Sequence, residues 1–234
     1  MNGGEVDPVL AQQWAASGTS LFLGLVGSLA DTELDQPTLL PGWSRRRLIA
    51  HLAANAEGLG RLVTWASTGE VTLMYASAED RIAAIDRGSR LPTAYLRAWL
   101  QRTADELESG LGSLSPRHLS ATVMTSQGRE IAASQLVWLR AREVNVHSVD
   151  LDAGLTFADL EPAFARTLIT DVLRLRGSRG ADPALDLRAI DSVDTWQLDG
   201  SGPTTLVSAP LARLAGWLTG RENRTDLPSL SAWL

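Results

Sequence analysis

The sequence predicts an α+β protein in which an N-terminal four-helix bundle, residues 1–153, is followed by a small α+β domain, residues 154–234. Two observations carry this. Before Gly154, apolar residues recur at helical spacing in four long stretches, the pattern of helices that bury one face against each other. Beyond Gly154 the chain turns to short β-type runs separated by Asp, Gly and Pro, which suits a small sheet.

Asp7 followed by Pro8 reads as a helix N-cap with proline in the first turn, and Leu10, Trp14, Leu21 and Leu25 carry that helix towards Leu29. A link containing Pro37, Pro41 and Gly42 follows. Ser44 is placed to cap a second helix over residues 45–65, with Leu48, Leu52 and Leu59 on its apolar face and Gly69 as its stop. Helical patterns continue over 78–86 and 93–111, the latter bracketed by Pro92 and Gly112 and carrying Leu96, Leu100 and Leu107. An irregular or strand-like piece at 119–125 precedes a stretch at 130–150 free of Gly and Pro, with Ile131, Leu136, Leu139 and Val146 in helical phase. The smaller domain reads as a helix at 160–176, a glycine-rich turn at 177–180, and strands at 185–190, 195–198 and 204–207. Those strands are predicted to form an antiparallel sheet, with a last helix at 210–219 stopped by Gly220.

Hydrophobic residues at 44% and charged residues at 21% are ordinary globular usage, so the chain can bury a core. A net charge of -6 points away from nucleic acid, whose binders present a basic face. No uninterrupted apolar run is long enough for a membrane span, and no Lys/Arg-rich segment precedes the short apolar stretch at 21–29. A cytoplasmic protein is expected, and the absence of a heptad seam favours a monomer. There is no cysteine, so any sulfur chemistry must use an external thiol.

The three histidines are His51, His118 and His147. Glu143 and His147 stand four apart on one predicted helix and therefore share a face. His51 lies on another bundle helix, so two histidines and one carboxylate can converge in the core and leave positions open for substrate or water. By spacing alone a plainer alternative stands beside this: a hydrogen-bonded core histidine and an ordinary solvated Glu–His pair. Arg140 and Asp150 on the same stripe fit either reading, and His118, beside Pro116 and Arg117, is read as an exposed loop residue.

The run PGWSRRRLIAHLAANAEGLGRLV at 41–63, REVNVHSVDL at 142–151 and WLTGR at 217–221 together resemble the mycothiol-dependent maleylpyruvate isomerases, a family of DinB-like metal-binding helix bundles. The resemblance spans nearly the whole chain. It implies zinc on His51, Glu143 and His147, and assigns Arg81 and Arg221 to the acidic ends of the substrate. Guanidinium forks suit a dicarboxylate, whereas the alternative for each arginine is a surface ion pair.

The implied activity is the cis–trans isomerisation of maleylpyruvate to fumarylpyruvate in gentisate-type aromatic degradation. A cis double bond can rotate only while it is briefly single, which reversible addition of a thiol such as mycothiol achieves. Zinc would favour the thiolate near neutral pH. Three other readings remain open: a mycothiol S-transferase that consumes the thiol, a non-catalytic binding module, and a zinc hydrolase that needs no thiol. Ligand type alone would also admit iron, cobalt or nickel.

Overall fold

A computed structural model describes residues 6–222 and 227–233, which divide into two compact units, one formed by Val6–Ala153 and one dominated by Gly154–Leu234. The fold is α+β: a four-helix bundle and a small C-terminal α+β unit. Among the described residues no helix is long and apolar enough to cross a membrane.

In the bundle unit, α1 spans Pro8–Ser28 and begins where Asp7 accepts hydrogen bonds from the amides of Val9 and Leu10. Helix α2 spans Arg45–Thr68, capped by Ser44 and ended by Gly69 in the left-handed region at φ 80°. Next come α3 at Ala78–Ser89, α4 at Thr93–Gly112, the one-turn α5 at Pro116–Leu119, a ribbon of β1 Thr122–Met124 and β2 Glu130–Ala132, and α6 at Leu136–Asp150. The four long helices α1, α2, α4 and α6 close a ring, because α1 packs on α6 and α4, and α2 packs on the same two partners.

The predicted helix at 130–150 is therefore shorter than its periodicity suggests. The stretch holds no Gly or Pro to stop a helix, but Glu130–Ala132 pairs with Thr122–Met124, and a 3-10 turn at Ala133–Gln135 leads into α6. One buried residue per strand, Val123 opposite Ile131, satisfies either pattern, so the strand pairing decides. His118 likewise is not an exposed loop residue. It is half-buried in α5, where its Nδ1 accepts from the Ser115 amide at 3.3 Å.

Two contacts fix where α6 lies. Gly18 of α1 faces Val144 and Asn145 so closely that a Cβ there would fall 2.4 Å from the Asn145 amide nitrogen. At the other end, Arg45 at the start of α2 donates to Leu151 O at 2.9 Å and to Asp152 O at 2.5 Å, a cation at the carbonyl end of α6. Two apolar clusters flank the polar layer that results. One gathers Phe22, Leu48, Leu52, Ile85 and Leu96, the other Leu59, Leu62, Leu107, Val123 and Leu136.

The C-terminal unit comprises α7 at Pro162–Arg179, β3 at Pro183–Ala189, β4 at Thr195–Leu198, β5 at Ser201–Ala209 and α8 at Leu211–Leu218. The predicted turn at 177–180 is the last turn of α7, and Gly180 closes it at φ 63°. The sheet is mixed rather than antiparallel: its order is β4-β3-β5, with β3–β4 antiparallel and β3–β5 parallel. The Asp199-Gly200 link between β4 and β5 crosses the start of β3, where a Cβ on Gly200 would meet Asp182 O at 2.4 Å. Only a glycine passes there. Pro203 is accommodated because β5 is an edge strand.

Candidate metal centre

His51 sits in the second turn of α2, and Glu143 and His147 lie one turn apart on α6. Because Arg45 ties the end of α6 to the start of α2, the three side chains meet within the bundle. His51 Nε2 is 3.0 Å from Glu143 Oε2 and 3.2 Å from His147 Nε2, and His147 Nε2 is 3.4 Å from Glu143 Oε2. All three are largely withdrawn from solvent, with side-chain exposures of 7%, 16% and 12% in chain order.

The edges of this donor triangle match one face of a tetrahedron around a zinc-sized ion, for which bond lengths of about 2.0–2.1 Å put donors roughly 3.3 Å apart. A hydrogen-bonded core histidine would aim its nitrogen at one acceptor. Here one carboxylate oxygen and two ring nitrogens converge on a common point, so the donor set fits a divalent cation.

His147 is oriented from behind. Its Nδ1 donates to Asp150 Oδ2 at 2.8 Å, and Asp150 is fully buried, which leaves the Nε2 lone pair facing the centre. His51 has a different support. Its ring stands edge-on to Trp43, 5.7 Å between centroids, and the Arg47 guanidinium covers the Trp43 ring at 5.0 Å. Arg81 of α3 brings Nη2 to 3.4 Å from His51 Nδ1, at the rim of the centre.

The electrostatics follow from burial and neighbours. Burial pushes the His51 pKa down, against the pull of Glu143. Burial would raise Glu143, but hydrogen bonds to His147 and His51, with their charges, hold its carboxyl well below the usual range. For His147, burial acts downward and is outweighed by Asp150 and Glu143, so its pKa is raised. Tyr75, whose hydroxyl donates to Ala54 O at 3.2 Å, is pushed up to about 12 by burial. Beneath Glu143, buried Arg140 donates from Nη1 to Leu52 O and Asn55 Oδ1, and burial brings its pKa down to about 10.

The structure thus brings together four of the five residues that the resemblance assigns to the site, with Arg81 beside His51, Glu143 and His147. Arg221 lies in the C-terminal unit, just after α8, where its Nη1 donates to Thr219 O at 2.6 Å. Sequence reasoning overlooked Trp43 and Tyr75. Trp43 immediately precedes the cap of α2, but nothing in the sequence shows that its ring turns towards His51.

The family model for the mycothiol maleylpyruvate isomerase N-terminal domain matches residues 15–152. Among solved structures, the mycothiol-dependent maleylpyruvate isomerase is 34% identical, with a TM-score of 0.88 over 93% of this chain and 90% of that one. A His-to-Ala variant of that enzyme matches with the same values. YfiT from Bacillus subtilis, described as a probable metal-dependent hydrolase with an unusual four-helix bundle topology, matches at a TM-score of 0.53 and 16% identity. That match covers 65% of this chain and 89% of YfiT, and it speaks to the fold alone. Comparison with curated proteins returns no match.

Proposed function

Because the chain belongs to the mycothiol maleylpyruvate isomerase family, we propose that it isomerises maleylpyruvate to fumarylpyruvate with mycothiol as the recycled thiol and zinc on His51, Glu143 and His147. The observation that carries this reading is the convergence of those three donors on one point. When bound, the metal supplies Lewis acidity that favours a thiolate near neutral pH, and the thiol supplies the sulfur nucleophile that a chain without cysteine lacks.

The chain's own residues do the rest. Asp150 keeps the His147 ring turned so that Nε2 faces the centre, and Trp43 stands edge-on against the His51 ring. To Arg81, whose Nη2 is 3.4 Å from His51 Nδ1, we assign one carboxylate of the substrate, and to Arg221 the other. A guanidinium charge such as that of Arg81 would also stabilise the negative charge that develops on the substrate when its double bond opens. We assign the activity to gentisate-type aromatic degradation in the cytoplasm, carried out by a monomer.

The test is turnover of maleylpyruvate by metal-loaded wild type and His51→Ala, each with and without catalytic mycothiol. Activity only in wild type with thiol, and thiol recovered intact, is expected. Activity without thiol would overturn the thiol-dependent reading, and stoichiometric thiol loss would replace the isomerase by an S-transferase.

A further inference from the structure

Arg221 and Trp233 lie in the same C-terminal unit, and several buried groups there serve to keep them together. The Arg221 guanidinium carbon is 5.3 Å from the centroid of the Trp233 ring, within the range where a ring face attracts a cation. Trp233 is itself only 4% exposed, so its ring is a fixed support.

Both backbone segments hang on one side chain. Arg176, 1% exposed, donates from Nε and Nη2 to Leu218 O at the end of α8, at 3.2 and 2.7 Å. From Nη1 it donates to Ser231 O at 3.0 Å. One arginine thus binds the chain three residues before Arg221 and two residues before Trp233. Asp182 accepts from Arg176 Nη1 at 2.9 Å and from the Ser231 amide at 2.7 Å, which locks the bracket. Arg179 adds bonds to Ala232 O at 3.0 Å and Trp233 O at 2.8 Å.

We propose that Trp233 is a positioning residue for Arg221, presented by the bracket of Arg176, Asp182 and Arg179 as a platform that holds the Arg221 guanidinium ready for a substrate carboxylate. This rests on the reading that Arg221 takes a carboxylate of the substrate. An arginine side chain gives up rotamer freedom when it grips a ligand, and one already stacked gives up less. An aromatic ring is also suited to the task because it steadies the cation without offering the acceptor oxygens that a carboxylate would.

The experiment compares Trp233→Leu, Trp233→Phe, Arg179→Met, Arg221→Ala and the Arg221→Ala/Trp233→Leu double variant. Each is the full chain, metal-loaded, assayed with maleylpyruvate and mycothiol, and each is also followed in thermal melts. Trp233→Leu is expected to raise KM about tenfold with kcat within about threefold of wild type, and Trp233→Phe, which keeps a ring, to stay within about twofold. Trp233→Leu should add nothing to Arg221→Ala, and the two should be non-additive in the melts. Should Trp233→Leu not fold, Arg179→Met acts from the exposed side of the bracket and is expected to raise KM about threefold.

Wild-type KM in Trp233→Leu and Arg179→Met, or a Trp233→Leu effect that adds in full to that of Arg221→Ala, overturns the proposal. Wild-type kcat/KM in Arg221→Ala overturns instead the reading of Arg221 beneath it, whatever the melts give.

Discussion

Each of the two units buries a polar cluster, and the clusters differ in whether their polar atoms are paired across opposite charges or gathered around one point. In the C-terminal unit, Arg176 and Asp182, 1% and 2% exposed, satisfy one another and the carbonyls of Leu218 and Ser231, so every charge meets an opposite charge or a dipole. In the bundle, His51, Glu143 and His147 aim three electron-pair donors at one point, with Asp150 holding one of them from behind. A closed set such as the first is a brace. An open set such as the second, whose three donor atoms lie within hydrogen-bond distance of one another around a common point, is what we propose as the seat of a cation.

Removing a member should therefore have opposite consequences in the two places. The largest effect on activity is expected from Glu143→Gln or His51→Ala. Metal content measured after dialysis should fall close to zero and turnover should drop by at least about 100-fold, while the melting temperature of the metal-free chain changes little. A metal content equal to wild type would break the comparison at its base.

The counterpart is Arg176→Met, which leaves Asp182 a buried carboxylate without its cation. Denaturant unfolding should show a loss of about 3–5 kcal/mol, with metal content per folded chain unchanged. If this variant instead unfolds like wild type, the cluster is not a brace.

Asp150→Asn sharpens the boundary between the two kinds of cluster, since Asp150 is a closing partner inside the open set. Metal affinity, read by competition with a chelator, is expected to fall about 10–100-fold. An unchanged affinity would remove Asp150 from the site.

The smallest effect is with pH. His147 has a raised pKa in the metal-free chain, so below that value a proton occupies the nitrogen a cation would need. Affinity should be constant above the raised pKa and fall by about tenfold per unit below it, as one proton is displaced per ion. His51, whose pKa burial lowers, adds no competition until lower pH. A chelator titration across pH that stays flat would mean that His147 is not a ligand.

What was legible in the sequence follows from what is local. Asp7, Ser44 and Gly69 mark helix ends because a cap needs only its own turn, and Glu143 with His147 share a face because helix period fixes it. The strand at Glu130–Ala132 was not legible, since three residues with one buried position satisfy helix and strand alike. Neither was the parallel pairing of β5, which depends on Gly200 passing over the start of β3.

The same division holds for the site. Residue order alone carries the long helices, the Glu-x3-His face, the absence of a protein thiol and the run around His51 that resembles the family. It takes the packing of the chain to show that His51, 92 residues from Glu143, reaches it at 3.0 Å, that Asp150 turns His147, and that Trp233 lies under Arg221. The reason is physical: backbone period fixes neighbours within a turn, whereas contacts across helices depend on how Gly18, Arg45 and the apolar clusters set the helices against one another.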